Sequence, residues 1–497
     1  MKKVITDLIH WKYTSAILIV LLIPLFYVWL ISVGIWTTWP ATTNYYDQLA
    51  TAFQHHQLHL QQQPDPRLLQ LSNPYDPSTR SGIPTPLDVS LYNGKFYLYW
   101  GPAPGLIISI FKPIFPIEIG DQYLVFLILS NIFIFETLII LKLTKLFFPD
   151  IPSWLISVSI FVAGLATPFA WMFNNPRVYD VAIGSGQLFF LTGFYISITA
   201  LNKTSQTTYK LMLIGLLWAL AIGSRLTQVL LIGFMSLMFL LRVTKPYFQK
   251  KTVREITLST LALVTPIATC IALLGWYNWA RFDSVFETGF NYAMAGPYLQ
   301  KFGRELFLPA YIPQNLFNYM MNPIGFRERY PIIRSVLGRT SSILPLYKLP
   351  NAYTSDEITG WIYSTPFTFF AIIPIITLIA NFKKNKDDGQ LFLNWTVVSL
   401  LGSFIFALLP LLMFFWLSTR YMMDFFPELI LLSIIGFWQG YQLLRHRPIL
   451  RITYSVFGVA LAFFTIIITN ALGLASHTAR MKIYNPELWN YLINLFR

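Results

Sequence analysis

The run Ser15-Ala-Ile-Leu-Ile-Val-Leu-Leu-Ile-Pro-Leu-Phe-Tyr-Val-Trp-Leu-Ile-Ser-Val-Gly-Ile-Trp36 decides the fold class. It is apolar throughout and matches the roughly 20 residues that a helix needs to cross a hydrocarbon core of about 30 Å. No small-residue cleavage site follows it, so it is expected to stay as a first span and not to be removed as a signal peptide. Directly after it the chain turns polar from Thr37 to Tyr99 and places Asp47, Asp65, Asp76 and Asp88 among aromatic residues. Acids are scarce here: the whole chain of 497 residues has 22. Carboxylates gathered beside the mouth of a membrane span point to chemistry or binding there.

Composition fits the same class. Hydrophobic residues make up 55% and charged residues 12%, with a mean hydropathy of +0.54. A soluble chain of this length carries far more charge. Apolar stretches of span length recur at 15–36, 121–147, 151–173, 180–201, 209–224, 226–243, 256–279, 361–382, 392–416, 424–443 and 453–475. The expectation is an all-α polytopic integral membrane protein of about eleven transmembrane helices. Gly101 to Phe115 is apolar but short and interrupted by Pro102, Pro104 and Pro113, which suits an interfacial or re-entrant helix within the first long loop.

The net charge of +14 calls for no nucleic acid, because basic residues collect in the cytoplasmic loops of such proteins. Lys2, Lys3 and Lys12 precede the first span, Lys142 and Lys145 end the second, and Lys203 and Lys210 follow the fourth. Arg242, Lys245, Lys250, Lys251 and Arg254 follow the sixth, Lys383, Lys384 and Lys386 the eighth, and Arg445, Arg447 and Arg451 the tenth. With the N-terminus cytoplasmic, eleven spans bring every cluster to one side. The exterior then carries the loops 37–120 and 280–360 and an amphipathic tail, 476–497. This reading makes 1–497 a single transmembrane domain in a plasma membrane (a bacterial inner membrane), with its C-terminus and working site outside. Cys270 is the single cysteine, so the loops are held by packing and not by internal disulfides.

Candidate site residues cluster at the exterior ends of the spans. Asp47, in Asn44-Tyr-Tyr-Asp-Gln-Leu-Ala-Thr-Ala-Phe53, sits in a short amphipathic helix where it serves either as a base or as an N-terminal cap. Asp180 ends Asn174-Asn-Pro-Arg-Val-Tyr-Asp180 and enters apolar sequence, where a carboxylate is costly unless paired or wet. Arg177, three residues earlier, is its expected partner, and a purely structural pair is the competing reading. Arg225 lies in the turn between the fifth and sixth spans, suited to a phosphate or to snorkelling. Arg420 and Asp424 share one face of a helix by their i,i+4 spacing, as a second phosphate site or a packing pair. Arg281 and Glu287 open the second long loop. There is no nucleotide-binding loop and no zinc spacing, and the segment His55, His56, His59 lacks further ligands. A group transfer would need an activated donor carried by the membrane.

Five blocks together resemble the GT-C superfamily of membrane glycosyltransferases, in particular protein mannosyltransferases and lipid A aminoarabinose transferases. They are Tyr45-Tyr-Asp-Gln-Leu-Ala-Thr-Ala-Phe53, Leu87-Asp-Val-Ser-Leu-Tyr-Asn-Gly-Lys-Phe-Tyr-Leu-Tyr-Trp-Gly-Pro102, Asn175-Pro-Arg-Val-Tyr-Asp180, Arg281-Phe-Asp-Ser-Val-Phe-Glu287 and Arg420-Tyr-Met-Met-Asp-Phe-Phe-Pro427. The resemblance implies a polyprenyl-phosphate-linked sugar as donor, inversion at the anomeric carbon, and a lipid, glycan or protein acceptor. It implies a loop carboxylate as base, matched by Asp47 with Asp88 as the alternative, a second acid matched by Asp180, and a phosphate ligand matched by Arg225. Some members use a divalent metal, for which no ligand set stands out here. Many relatives place the loop acid earlier, at the position of Thr42 in this chain. Two other readings stay open: a transporter or flippase of lipid-linked sugars, and a glycan polymerase or ligase using Arg327, Arg329, Arg334 and Arg339.

Overall fold

The computed structural model describes residues 14–114, 116–201, 208–244, 252–344, 347–380 and 387–495. Lys2, Lys3, Lys12, Lys203, Lys245, Lys250, Lys251, Lys383, Lys384 and Lys386 of the basic clusters lie outside the described residues.

The chain is mostly helical. In order, the principal helices are α1 (Thr14–Ile31), α2 (Tyr45–Gln54), α3 (Ala103–Phe111), α4 (Asp121–Phe147), α5 (Ser153–Leu165), α6 (Val178–Leu201), α7 (Thr208–Ser224) and α8 (Gln228–Thr244). They continue with α9 (Val253–Phe282), α10 (Ile312–Met321), α11 (Ile372–Ala380), α12 (Asp388–Leu412), α13 (Phe426–Leu443), α14 (Pro448–Ser476), α15 (Thr478–Tyr484) and α16 (Pro486–Leu495). Seven stretches among the described residues are long and apolar enough to cross a membrane: α1, α4, Ser153–Met172, α6, α9, α12 and α14. They make the chain an integral membrane protein. The other stretches expected as spans are also helical, but α7 and α8 are shorter and Pro366–Ala380 begins as a 3-10 turn. α13 carries Glu428 in its first turn and is buried along most of its length.

Burial sorts these helices into layers. In the apolar windows of Ser153–Met172 and α6, 72% of residues are buried, against 6% in α9 and 17% in α14. The first two are the centre of the bundle, and the last two expose apolar side chains as a lipid-facing helix does. α9 starts at a capping box in which Thr252 Oγ1 accepts from Glu255 N at 3.3 Å and Glu255 Oε2 accepts from Thr252 N at 2.8 Å. It packs along α7, which packs in turn on α6, and α6 on α4.

The all-α expectation misses short strands in both long loops. β1 (Ser90–Tyr92) and β2 (Lys95–Tyr97) form a hairpin, β3 (Ile324–Phe326) pairs with β4 (Ile333–Leu337), and β4 pairs with β6 (Glu357–Ile358). β5 (Thr354–Ser355) runs parallel to β7 (Trp416–Leu417). In the first hairpin Asn93 and Gly94 have φ of 46° and 72°, the left-handed pair that a tight two-residue turn requires. Asn322 ties this second region together, its amide donating to Ile358 O at 2.8 Å and Val336 O at 3.3 Å.

The C-terminal segment closes back on the start of the chain. Arg480 on α15 donates to the carbonyls of Pro40 at 3.1 Å and Phe173 at 3.1 Å, and to that of Asn174. One guanidinium thereby staples the segment after α1 to the turn before α6.

Candidate active site

A cavity of about 700 Å³ opens among the first long loop, the α7–α8 turn, the end of α9 and the segment 410–421. Its wall is largely aromatic, including Tyr99, Trp100, Tyr179, Tyr277, Phe414 and Tyr421, with Leu226 and Leu230 on α8's side. Five of the sequence candidates line it: Asp88, Arg177, Arg225, Arg281 and Arg420. Asp356 lines it as well.

Asp88 immediately precedes the first hairpin and is held by backbone. Its N–H donates to Met294 O at 3.3 Å, Met294 N–H donates back to Val89 O at 2.7 Å, and Ser90 Oγ donates to Gly289 O at 2.7 Å. These bonds sew the hairpin to the segment after α9. Asp88 has φ of 63°, a left-handed conformation that aspartate tolerates better than most residues. Tyr99, beyond the second strand, donates its hydroxyl to Asp88 Oδ1 at 3.4 Å. Burial raises the Asp88 carboxyl above its ordinary range, while the charges of Arg177 and Arg420 and the Tyr99 bond pull the other way. A carboxylate so placed is a stronger base than a solvated one.

The four arginines are fixed in different ways. Arg225 Nη2 meets Asp424 Oδ2 at 2.9 Å and its Nε the same oxygen at 3.2 Å, and Gln228 adds a contact to Oδ1 at 3.4 Å. Arg420 pairs with Asp356 at 3.6 Å and lies 4.0 Å from the Tyr179 ring. Arg281 donates to Leu98 O at 2.7 Å and rests 3.7 Å from the ring of Tyr277. Arg177 takes the Asn175 amide oxygen at 3.0 Å, with that amide turned to face the guanidinium. Its charge meets no carboxylate in an ion pair among the described residues.

The structure changes three sequence expectations. Arg420 and Asp424 do not pair with each other, because Thr419–Asp424 is a 3-10 helix. With about three residues per turn, residues four apart lie about a third of a turn off one face. Arg177 does not pair with Asp180 through its side chain. Instead Asp180 Oδ2 accepts the Arg177 backbone N–H at 3.0 Å, as a third-position acid caps a helix start. Asp47 lies away from the cavity wall, where Oδ1 meets Lys112 Nζ at 2.5 Å and accepts from Ile119 N at 3.2 Å. This pair joins α2 to the end of α3. Asp180 and Asp424 also stand behind the wall and not in it. Arg327, Arg329, Arg334 and Arg339 are absent from the lining.

Sequence reasoning missed Asp356 and the tyrosines. Asp356 sits between two strands too short to read from a sequence. Thr43, near the position where relatives carry an acid, donates to the buried Asp121, and Thr42 donates to Pro176 O. This junction joins the first loop to the turn bearing Arg177. Among the described residues no group of three or more His, Cys, Asp or Glu side chains is arranged to hold a metal ion.

No family model matches the chain, and no curated protein matches its sequence. Among solved structures it is similar to the apo oligosaccharyltransferase of Archaeoglobus fulgidus, at 12% identity and a TM-score of 0.52. That match covers 95% of this chain and 57% of the other, so the chain spans little more than half of its neighbour. A second match is the oligosaccharyltransferase AglB of the same organism, in complex with an inhibitory peptide and a dolichol-phosphate. It has 11% identity, a TM-score of 0.49, and coverage of 94% and 56%. At this identity the likeness is one of fold.

Proposed function

We propose that the chain is a membrane glycosyltransferase that moves a sugar from a polyprenyl-phosphate donor to an acceptor hydroxyl, with inversion. The observation that carries this reading is the cavity itself, whose lining brings the half-buried carboxylate of Asp88 together with Arg177 and Arg420. The fold shared with an oligosaccharyltransferase supports it.

In this mechanism the acceptor oxygen attacks the anomeric carbon from the face opposite the phosphate. The hydroxyl proton passes to Asp88 as the new C–O bond forms. The bond between carbon and phosphate oxygen breaks, its electron pair leaving with the polyprenyl phosphate. Arg177, with no carboxylate partner in an ion pair among the described residues, meets the charge on the leaving phosphate, and Arg420 supports it from beside Tyr179. Fixed cations inside a water-poor cavity stabilise such charge without reorganising, commonly the largest single contribution to catalysis. Asp88 is the base in this scheme. Asp47 and Asp180 act on the frame around it, as their bonds to Lys112 and to the Arg177 backbone suggest.

The test is transfer of label from a radiolabelled polyprenyl-phosphate sugar in membranes that contain the chain. Label should move in the native chain and fall by about 10²-fold or more in Arg177→Gln. Equal transfer in membranes with and without the chain would sink the reading.

A further inference from the structure

The tip of the β3–β4 hairpin stands apart from the cavity and has its own chemistry. Arg327 N–H donates to Ile332 O at 2.8 Å and extends the ladder to the turn Arg327-Glu-Arg-Tyr-Pro-Ile332. Arg327 and Arg329 are both exposed. Beside them Phe326 is 75% exposed and Ile332 44%. Cations alternating with bare apolar side chains suit neither water alone nor a hydrocarbon core alone.

The height of this tip is set by the rest of the chain. Its Tyr330 ring packs at 5.7 Å against Trp489 of α16. α16 is tied down just before its start, where Asn485 Nδ2 donates to Val33 O at 2.9 Å. Val33 lies two residues beyond the end of α1, a membrane span. Trp36, three residues further, is 49% exposed, and Lys482 stands 4.8 Å over the Trp489 ring. Tryptophan, tyrosine and basic side chains gathered at a span end mark the level of lipid headgroups. The hairpin tip shares that level through a direct ring contact.

We propose that the β3–β4 tip and α16 form a docking surface for anionic phospholipid headgroups of the surrounding bilayer. Arg327, Arg329 and Lys482 face the headgroup phosphates, and Phe326 and Ile332 enter the upper acyl region. Glu328 and Glu487 are the acids of the patch and leave it net positive. The surface is independent of the proposed transfer reaction.

The experiment uses the full chain in nanodiscs with spin-labelled phosphatidylglycerol or phosphatidylcholine, reading their relative association by electron paramagnetic resonance. The native chain should prefer phosphatidylglycerol, and R327Q/R329Q should lower that preference by about fivefold for each arginine removed. An unchanged preference in the double variant overturns the proposal. A second arm places a fluorophore at F326C in a C270S background, with F463C on the lipid-facing α14 as positive control. A lipid-borne quencher near the headgroup should quench position 326, and one deep in the acyl chain should quench position 463. Quenching at position 463 without quenching at 326 overturns the proposal, and leaves the patch to water or to a protein partner.

Discussion

Replacing Asp88 by asparagine separates the chemistry of the cavity from its construction. Asparagine tolerates a φ of 63° as aspartate does, so the turn before the hairpin keeps its backbone. The side chain gives up one long hydrogen bond, from Tyr99 at 3.4 Å, and no ion pair. The fold should therefore survive. A positioned general base contributes about 10²–10⁴-fold, so transfer should fall by that factor, or about 2.7–5.5 kcal/mol of barrier. Stability should move the other way. The Asp88 carboxyl is raised in the folded state by burial, so an ionised Asp88 opposes folding at neutral pH. Asparagine removes that opposition, and a gain of about 0.5–2 kcal/mol is expected, as at other functional sites relieved of strain. The gain should be present at neutral pH and vanish as pH falls below the ordinary carboxylate range, where the unfolded aspartate is protonated too. In the native chain the acid limb of kcat/KM should lie above that ordinary range, because only the ionised form accepts the proton. The measurements are initial rates of label transfer across pH and thermal unfolding in detergent. Activity of Asp88→Asn within about threefold of native at every pH would refute the assignment of the base.

Asp424→Asn should leave Arg225 buried without its counter-charge and destabilise the fold by about 3–5 kcal/mol, seen as a lowered Tm. An unchanged Tm would show that the Arg225–Asp424 pair contributes nothing net. Asp47→Asn breaks the contact to Lys112 and should cost roughly 2 kcal/mol of stability, while activity per folded molecule stays within about threefold. Loss of turnover with the fold intact would return the role of base to Asp47. Gly101→Ala should lower both expression and Tm, because an added Cβ meets the carbonyl oxygens of Gly223 and Ser224 at the cavity rim. A normally folded Gly101→Ala variant would show that the loop can lift away from α7.

Hydropathy made the helices legible, since apolar length is a local property and each expected span falls on helical chain. Hydropathy does not show which helices are buried: α13 is apolar and buried along most of its length, while α9 and α14 are apolar and exposed. The hairpin at 90–97 was within reach, as Asn93-Gly94 between apolar-rich runs is a strong turn signal. The pairing of charges was not legible. Arg225 and Asp424 are 199 residues apart, and Asp356 meets Arg420 across two loops. Proximity in sequence suggested Arg420 with Asp424 and Arg177 with Asp180, and helix type and capping redirected both. The partners of these charges could not be read from sequence.

The Arg480 staple sets an order of events. The carbonyl it takes from Phe173 is 307 residues earlier in the chain. During synthesis the turn that presents Arg177 therefore waits, already flanked by its own helices, until α15 has emerged and folded back. A chain interrupted before residue 480 would carry every wall of the cavity and still lack this brace on the turn before α6. The geometry thus ties the turn before α6 to translation past α14: its last brace arrives only after that helix has been made.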